Sequence, residues 1–170
     1  MLSDDLDRVL AADYLGDVAT LDTDDLKAKR DDAQAIESKL SFVRRLAQGR
    51  LDIVSSESAR RADGQGASDL SELVERLPQI LADRVRAPGP GRMPTNLVPP
   101  DDDEELTAEL DDVSGPDVLG SLPEMSDDEL GAVSRGLEGL EQRVSAQRKA
   151  VFGVIDAVQA ELARRFEQAD

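Results

Sequence analysis

Apolar residues recur at intervals of three and four along most of the chain, the spacing that gathers side chains on one face of an α-helix. Leu6, Val9, Leu10, Tyr14 and Leu15 follow Ser3 and two aspartates and predict a short first helix ending before Gly16. A much longer helix is predicted from Asp22 or Thr23 to about Ala62. Its start offers small polar residues to cap free amides, and Asp24 and Asp25 suit the positive end of the helix dipole. Ile36, Leu40, Val43, Ala47, Leu51 and Val54 make one narrow stripe of the kind that forms a coiled-coil seam, and Gly64 and Gly66 end the pattern. Leu70, Leu73, Val74, Leu77, Ile80, Leu81 and Val85 predict a third helix, capped by Ser68, kinked at Pro78 and stopped before Pro88. A last long helix is predicted from Ser126, which forms a capping-box pattern with Glu129, to about Gln168. Leu130, Val133, Leu137, Leu140, Val144, Val151, Val154 and Val158 carry its seam.

Between the third and last helices, the stretch from Ala87 through Pro100 is rich in proline and glycine, and Asp101 to Glu105 is a run of like charge. That composition predicts an extended or mobile connection. The expected fold is therefore all-α: two long helices forming an antiparallel coiled coil, with short accessory helices and a Pro/Gly/Asp-rich connection. Three segments follow from it. Residues 1–66 hold the first long helix, 67–122 the kinked helix and the connection, and 123–170 the second long helix. Aromatic residues are 2% of the chain, so a thin seam is expected rather than a thick core.

The two long helices are related. A shift of 104 positions places Asp24-Asp25-Leu26 on Asp128-Glu129-Leu130, Ile36 on Leu140, Leu40 on Val144, Leu51 on Ile155 and Val54 on Val158. It also superimposes polar residues that a seam does not need: Glu37 on Glu141, Ser41 on Ser145, Arg44 on Arg148 and Asp52 on Asp156. Between them Gln48 falls on Phe152. At about 100° per residue the five positions of each copy share a band roughly 80° wide beside the seam.

Arginine donates two parallel hydrogen bonds to the O6 and N7 edge of guanine or to a phosphate, and a carboxylate accepts from the N1 and N2 side of the same base. Serine and glutamine fill either role. Each strip thus suits a guanine nucleotide better than a metal, which disfavours a central arginine. Ordinary solvated charge is the plainer explanation of one strip, and the return of four of the five residues in register weighs against it.

Gly49 and Gly153 also align, each inside a helix where glycine costs roughly 1 kcal/mol relative to alanine. They fit either neutral drift or the close approach of another backbone. Ala146, Ala150, Gly153 and Ala157 form a stripe of small residues away from the seam, where the first copy has Phe42, Leu46, Gly49 and Ile53. This second surface suits either a protein partner or the short helices of the same chain.

Cysteine and histidine are both absent. With them go disulfides, thiolate nucleophiles, the usual general base near neutral pH and the soft ligands of zinc, so an enzyme is not expected. A net charge of −17 disfavours non-specific binding to nucleic acid or anionic membranes. No apolar run reaches the roughly 20 residues that cross a bilayer, and acidic Asp4 and Asp5 follow Met1 where a leader would be basic, which predicts a cytoplasmic protein.

The complete motif of Glu37, Ser41, Arg44, Gln48 and Asp52 resembles that of the RsiG family of actinobacterial anti-sigma factors. Asp13-Tyr14-Leu15-Gly16-Asp17, the run from Phe42 to Val54, and Leu73-Val74-Glu75-Arg76-Leu77-Pro78 are similar to that family too, so the likeness covers most of the chain. The resemblance implies an antiparallel helix pair that holds cyclic di-GMP, as a dimer and without metal. The implied contacts are the five residues of the first strip with Glu141, Ser145, Arg148 and Asp156 of the second. Phe152 stands where the motif has glutamine, and can stack on a base but not replace the amide hydrogen bonds. The resemblance also implies that the loaded protein sequesters a sporulation sigma factor of the WhiG type, which is similar to flagellar sigma factors, and so represses sporulation genes. An antiparallel pair of equivalent helices has a local two-fold axis, as a cyclic dinucleotide does, so one chain suffices and a monomer is expected before sigma binds. A ligand-independent coiled-coil adaptor or scaffold stays open as the alternative.

Overall fold

The computed structural model describes residues 2–65, 69–82 and 103–169. The order is α1 (Leu2–Leu10), α2 (Thr23–Ala62), α3 (Leu70–Ala82), α4 (Asp103–Ser114), α5 (Pro116–Gly120), a 3-10 turn (Leu122–Glu124) and α6 (Asp127–Ala169). Among the described residues there is no strand, and the fold is the all-α one that the periodicity predicts. No helix among them is long and apolar enough to cross a membrane.

The long helices begin where their caps dictate. Asp22 Oδ1 accepts from the backbone N–H groups of Asp24 and Asp25, at 2.9 and 2.7 Å, satisfying donors that the first turn leaves free. Before α6 the capping box closes in both directions: Ser126 N and Oγ donate to Glu129 Oε2, each at 2.7 Å, and Glu129 N donates to Ser126 Oγ at 3.3 Å. The end of α2 is a left-handed glycine cap. Gly64, at φ +78°, lets its own N–H reach Arg61 O while Gln65 N reaches Arg60 O.

The chain forms two compact units, Met1–Phe42 with Val144–Asp170, and Val43–Arg143. Each combines part of α2 with part of α6. In the first unit Leu26 is buried against Val158 and Leu162, with Leu15, Val18 and Leu21 of the preceding turn packed on them. Further along α2, Glu37 meets Arg148, so position rises on one helix as it falls on the other and the pair is antiparallel. Arg8 on α1 donates to both oxygens of Asp32, at 2.6 and 3.0 Å, and Tyr14 Oη donates to the same carboxylate at 2.8 Å. That shared acceptor ties α1 and its turn to α2, and its partners, Arg8 foremost, hold the Asp32 carboxyl below its ordinary range.

In the second unit Val43, Ala47 and Val54 of α2 and Leu130, Leu137 and Leu140 of α6 are buried. Arg44 meets Glu141 while Arg61 reaches Asp127, the same antiparallel sense. Arg50 donates to the carbonyls of Leu110 and Ser114 and to Asp111, so a cation on α2 neutralises the carbonyl end of α4.

The 104-residue shift reaches well beyond the strips. Glu57, Arg60 and Arg61 fall on Glu161, Arg164 and Arg165, and the two triplets act alike. Arg61 donates to the carbonyls of Leu122, Pro123 and Met125 and to Asp127. Arg165 donates to the carbonyls of Val18, Ala19 and Leu21 and to Thr23 Oγ. Each acceptor of the first set lies 104 positions after its counterpart in the second. The end of each long helix therefore grips the turn that launches the other, with a buried glutamate, Glu57 or Glu161, holding the arginines in place.

Several expectations are corrected. Tyr14 and Leu15 lie in the turn after α1 rather than in the helix. Asp69 caps α3, its carboxylate accepting from Glu72 N at 2.8 Å, and the expected cap Ser68 lies outside the described residues. Leu70, Val74 and Leu81 of α3 are exposed. The expected connection carries helices α4 and α5 from Asp103 onward, because Leu110 and Leu122 are fully buried and Arg50 secures the end of α4. The rest of that expectation, residues 87–102, lies outside the described residues, as does Val85. On α6, Ile155 takes the buried seam position expected of Val154.

The clamps carry a pH dependence. Hydrogen bonds from Arg164 and then Arg165 lower the Glu161 carboxyl from 4.5 to about 2. A carboxyl depressed in the folded state stabilises it fully above the unfolded value and loses that contribution as pH falls through the folded one. Glu161→Gln is expected to lower the melting temperature near neutral pH, and circular-dichroism melts are expected to show its difference from wild type closing between pH 4.5 and about 2.

Candidate functional site

The two polar strips lie beside the buried seam because each polar position is next to a seam residue on its helix: Glu37 follows Ile36, Arg44 follows Val43 and Glu141 follows Leu140. This adjacency buries the glutamate more than an ordinary surface carboxylate. Glu37 keeps 6% of its surface, and a carboxylate so placed requires a cation or strong donors.

In the first unit that partner is Arg148. Its Nε donates to Glu37 Oε1 at 2.7 Å and to Ser41 Oγ at 2.7 Å, while the Ser41 hydroxyl donates to the same Glu37 oxygen at 2.7 Å. The Arg148 guanidinium lies over the Phe152 ring, 4.7 Å from its centroid. In the second unit Arg44 Nε donates to Glu141 Oε1 at 2.9 Å, and Gln48 Nε2 donates to the same oxygen at 2.9 Å.

The two sets are counterparts under the 104-residue shift. In each, the arginine of one strip meets the glutamate of the other through Nε, which orients the guanidinium plane. They differ where the sequences differ. Gln48 supplies the second donor to Glu141, whereas Phe152, its counterpart, has no donor and stacks on Arg148 while Ser41 donates to Glu37. Six of the expected residues are thus joined in two sets. The others continue the same faces: Asp52 is half-buried one turn beyond Gln48, Ser145 is half-buried one turn beyond Glu141, and Asp156 is exposed one turn beyond Phe152. Among the described residues no group of carboxylates is arranged to hold a metal ion.

The Glu57–Arg60–Arg61 and Glu161–Arg164–Arg165 triplets are structural residues that the strip pattern misses. They lie beyond its five positions, yet the same shift superimposes them residue for residue.

Each unit thus pairs complementary hydrogen-bonding groups across two helices. The chain matches the RsiG-like family over residues 12–81 and 116–170, most of its length, and belongs to that family. At the level of the family it is an RsiG-type anti-sigma factor, whose kind of partner is a sigma factor, and the family is regulatory rather than enzymatic. No curated protein matches the chain.

The cross-helix pairs are partly exposed, 31% for the Arg148 side chain and 34% for that of Arg44. Solvent screening then limits the Arg44–Glu141 pair, whose carboxylate is also 21% exposed, to about 1 kcal/mol or less. A double-mutant cycle on Glu141→Gln and Arg44→Ala, measured by urea unfolding of the free protein, is expected to return a coupling of that order. A coupling of several kcal/mol would show instead that the strips are chiefly structural.

Proposed function

We propose that the chain is a cyclic di-GMP-dependent anti-sigma factor that sequesters a sigma factor of the WhiG or flagellar type and so represses sporulation genes. The observation that carries this reading is the pairing of Arg44 with Glu141 and of Arg148 with Glu37. In the free protein these groups satisfy one another. A guanine offers both the same kind of partner: its N1 and N2 hydrogens suit the glutamate, and its O6 and N7 suit the arginine. Insertion of the base exchanges hydrogen bonds rather than abandoning them, and stacking on the guanidinium or on Phe152 adds a gain that the free pair lacks. The partial exposure of both partners keeps the cost of opening the Arg44–Glu141 pair small, and at the buried Glu37 the hydrogens of the base take the place of the Arg148 donor.

Two equivalent sets match two nucleotides per chain, and Phe152 in place of glutamine makes the sets unequal in affinity. Nucleotide raises the affinity for sigma in this reading, and linkage then requires that sigma raise the affinity for nucleotide by the same factor. The alternative of a ligand-independent adaptor rests on the same pairs acting only to fix helix register.

Isothermal titration separates the two. Cyclic di-GMP is expected to bind, Arg44→Ala and Arg148→Ala each to weaken binding at least about tenfold, and cyclic di-AMP to give no heat. Flagellar-type sigma is expected to bind more tightly with saturating cyclic di-GMP than without it. Equal sigma affinity in both conditions, unaffected by either substitution, would establish the adaptor.

A further inference from the structure

The internal duplication makes each unit a template for the other, and one face of the template is covered in only one of them. In the second unit Leu46, Gly49, Ile53 and Ser56 of α2 are half-buried, and α3 lies along them. A Cβ on Gly49 would meet Leu81 Cδ2 at 3.6 Å, Arg76 donates to Ser56 Oγ at 2.8 Å, and Leu73 of α3 is buried. The counterparts in the first unit are Ala150, Gly153, Ala157 and Ala160, all exposed, and a Cβ on Gly153 would meet nothing within 4 Å. The substitutions run one way. Leucine, isoleucine and serine become alanine, which lowers the floor of this face.

What stands above the lowered floor is a pocket of about 350 Å³. Ala150, Gly153 and Val154 of α6 form one side, and Val9, Leu10, Ala12 and Leu15 face them from α1 and its turn. The helix and turn that line it carry exposed Asp7, Asp13 and Asp17, with Lys149 on the α6 side.

We propose that this pocket docks an amphipathic helix of the sigma factor, presenting aliphatic side chains at helical spacing as α3 presents Leu73 and Leu81 to the equivalent face of the second unit. The inference rests on the sigma-binding function proposed above. Charge selects this occupant over a second copy of the chain. A net charge of −17 on each copy opposes self-association, whereas a promoter-binding protein carries basic surface that the aspartates beside the pocket attract.

The test uses the full chain, cyclic di-GMP and a labelled flagellar-type sigma factor, with affinities read by fluorescence anisotropy. Gly153→Arg is expected to bind cyclic di-GMP as wild type does and to lose at least about tenfold in sigma affinity. Gly153→Ala, which fits the open space, is expected to keep both, and Ala150→Arg, which also lines the pocket, to reproduce the loss if Gly153→Arg fails to fold. Sigma affinity within about twofold of wild type in the folded arginine variants would overturn the pocket while leaving the proposed function standing. Failure of the wild-type chain to bind sigma would overturn both. Sedimentation showing a wild-type dimer that Gly153→Arg converts to monomer would assign the pocket to a second copy and overturn the sigma assignment.

Discussion

A carboxylate set next to an apolar seam, nearly withdrawn from water at Glu37 and partly so at Glu141, draws a charged partner, and each unit of the molecule supplies one. Glu37 finds Arg148, and Glu141 finds Arg44, each from the opposite helix. Within each unit, an antiparallel pairing brings the arginine to the glutamate. The seam alone sets the register less firmly, because small apolar residues such as Ala33, Ala47 and Val54 interdigitate without strong directionality. The end clamps reinforce it. Arg61 and Arg165 each hold three backbone carbonyls of a turn, and neither contact set survives a slip of the helices by one turn.

Duplication explains why one chain presents two equivalent cross-helix sets, and divergence between the copies explains why they are not identical. Gln48 and Phe152 are the clearest difference within the strips, an amide donor against an aromatic ring. The short helix α3 is the clearest difference outside them. It covers one face in the second unit, and the corresponding face of the first unit is reduced to alanine and glycine. A duplicated scaffold with unequal decoration suits a regulator that must recognise a small ligand on one surface and a protein on another.

Much of this was legible in the sequence because it is periodic and local. The long helices, their caps at Asp22 and Ser126, most of the seam and the repeat of the strip residues all follow from spacing and side-chain chemistry. What was not legible depends on tertiary contacts. The acidic run reads as an extended or mobile connection, and from Asp103 onward it is helix α4, with Leu110 buried and Arg50 on its carbonyl end. Tyr14 and Leu15 continue the apolar spacing of α1, but the Asp32 and Leu26 environments claim them from a turn. Val154 and Ile155 fit the seam almost equally by spacing, and burial selects Ile155. The clamp triplets were hidden by position rather than by chemistry, since the shift that reveals the strips reveals them as well.

The most direct measurement of the central claim is a heteronuclear spectrum of the arginine Nε–Hε groups as cyclic di-GMP is added. The Nε groups of Arg44 and Arg148 hold the cross-helix glutamates in the free protein, so the account predicts that both resonances move and stop moving at two nucleotides per chain. Resonances that stay fixed while nucleotide binds, or a nucleotide that shifts only arginines away from the strips, would contradict it.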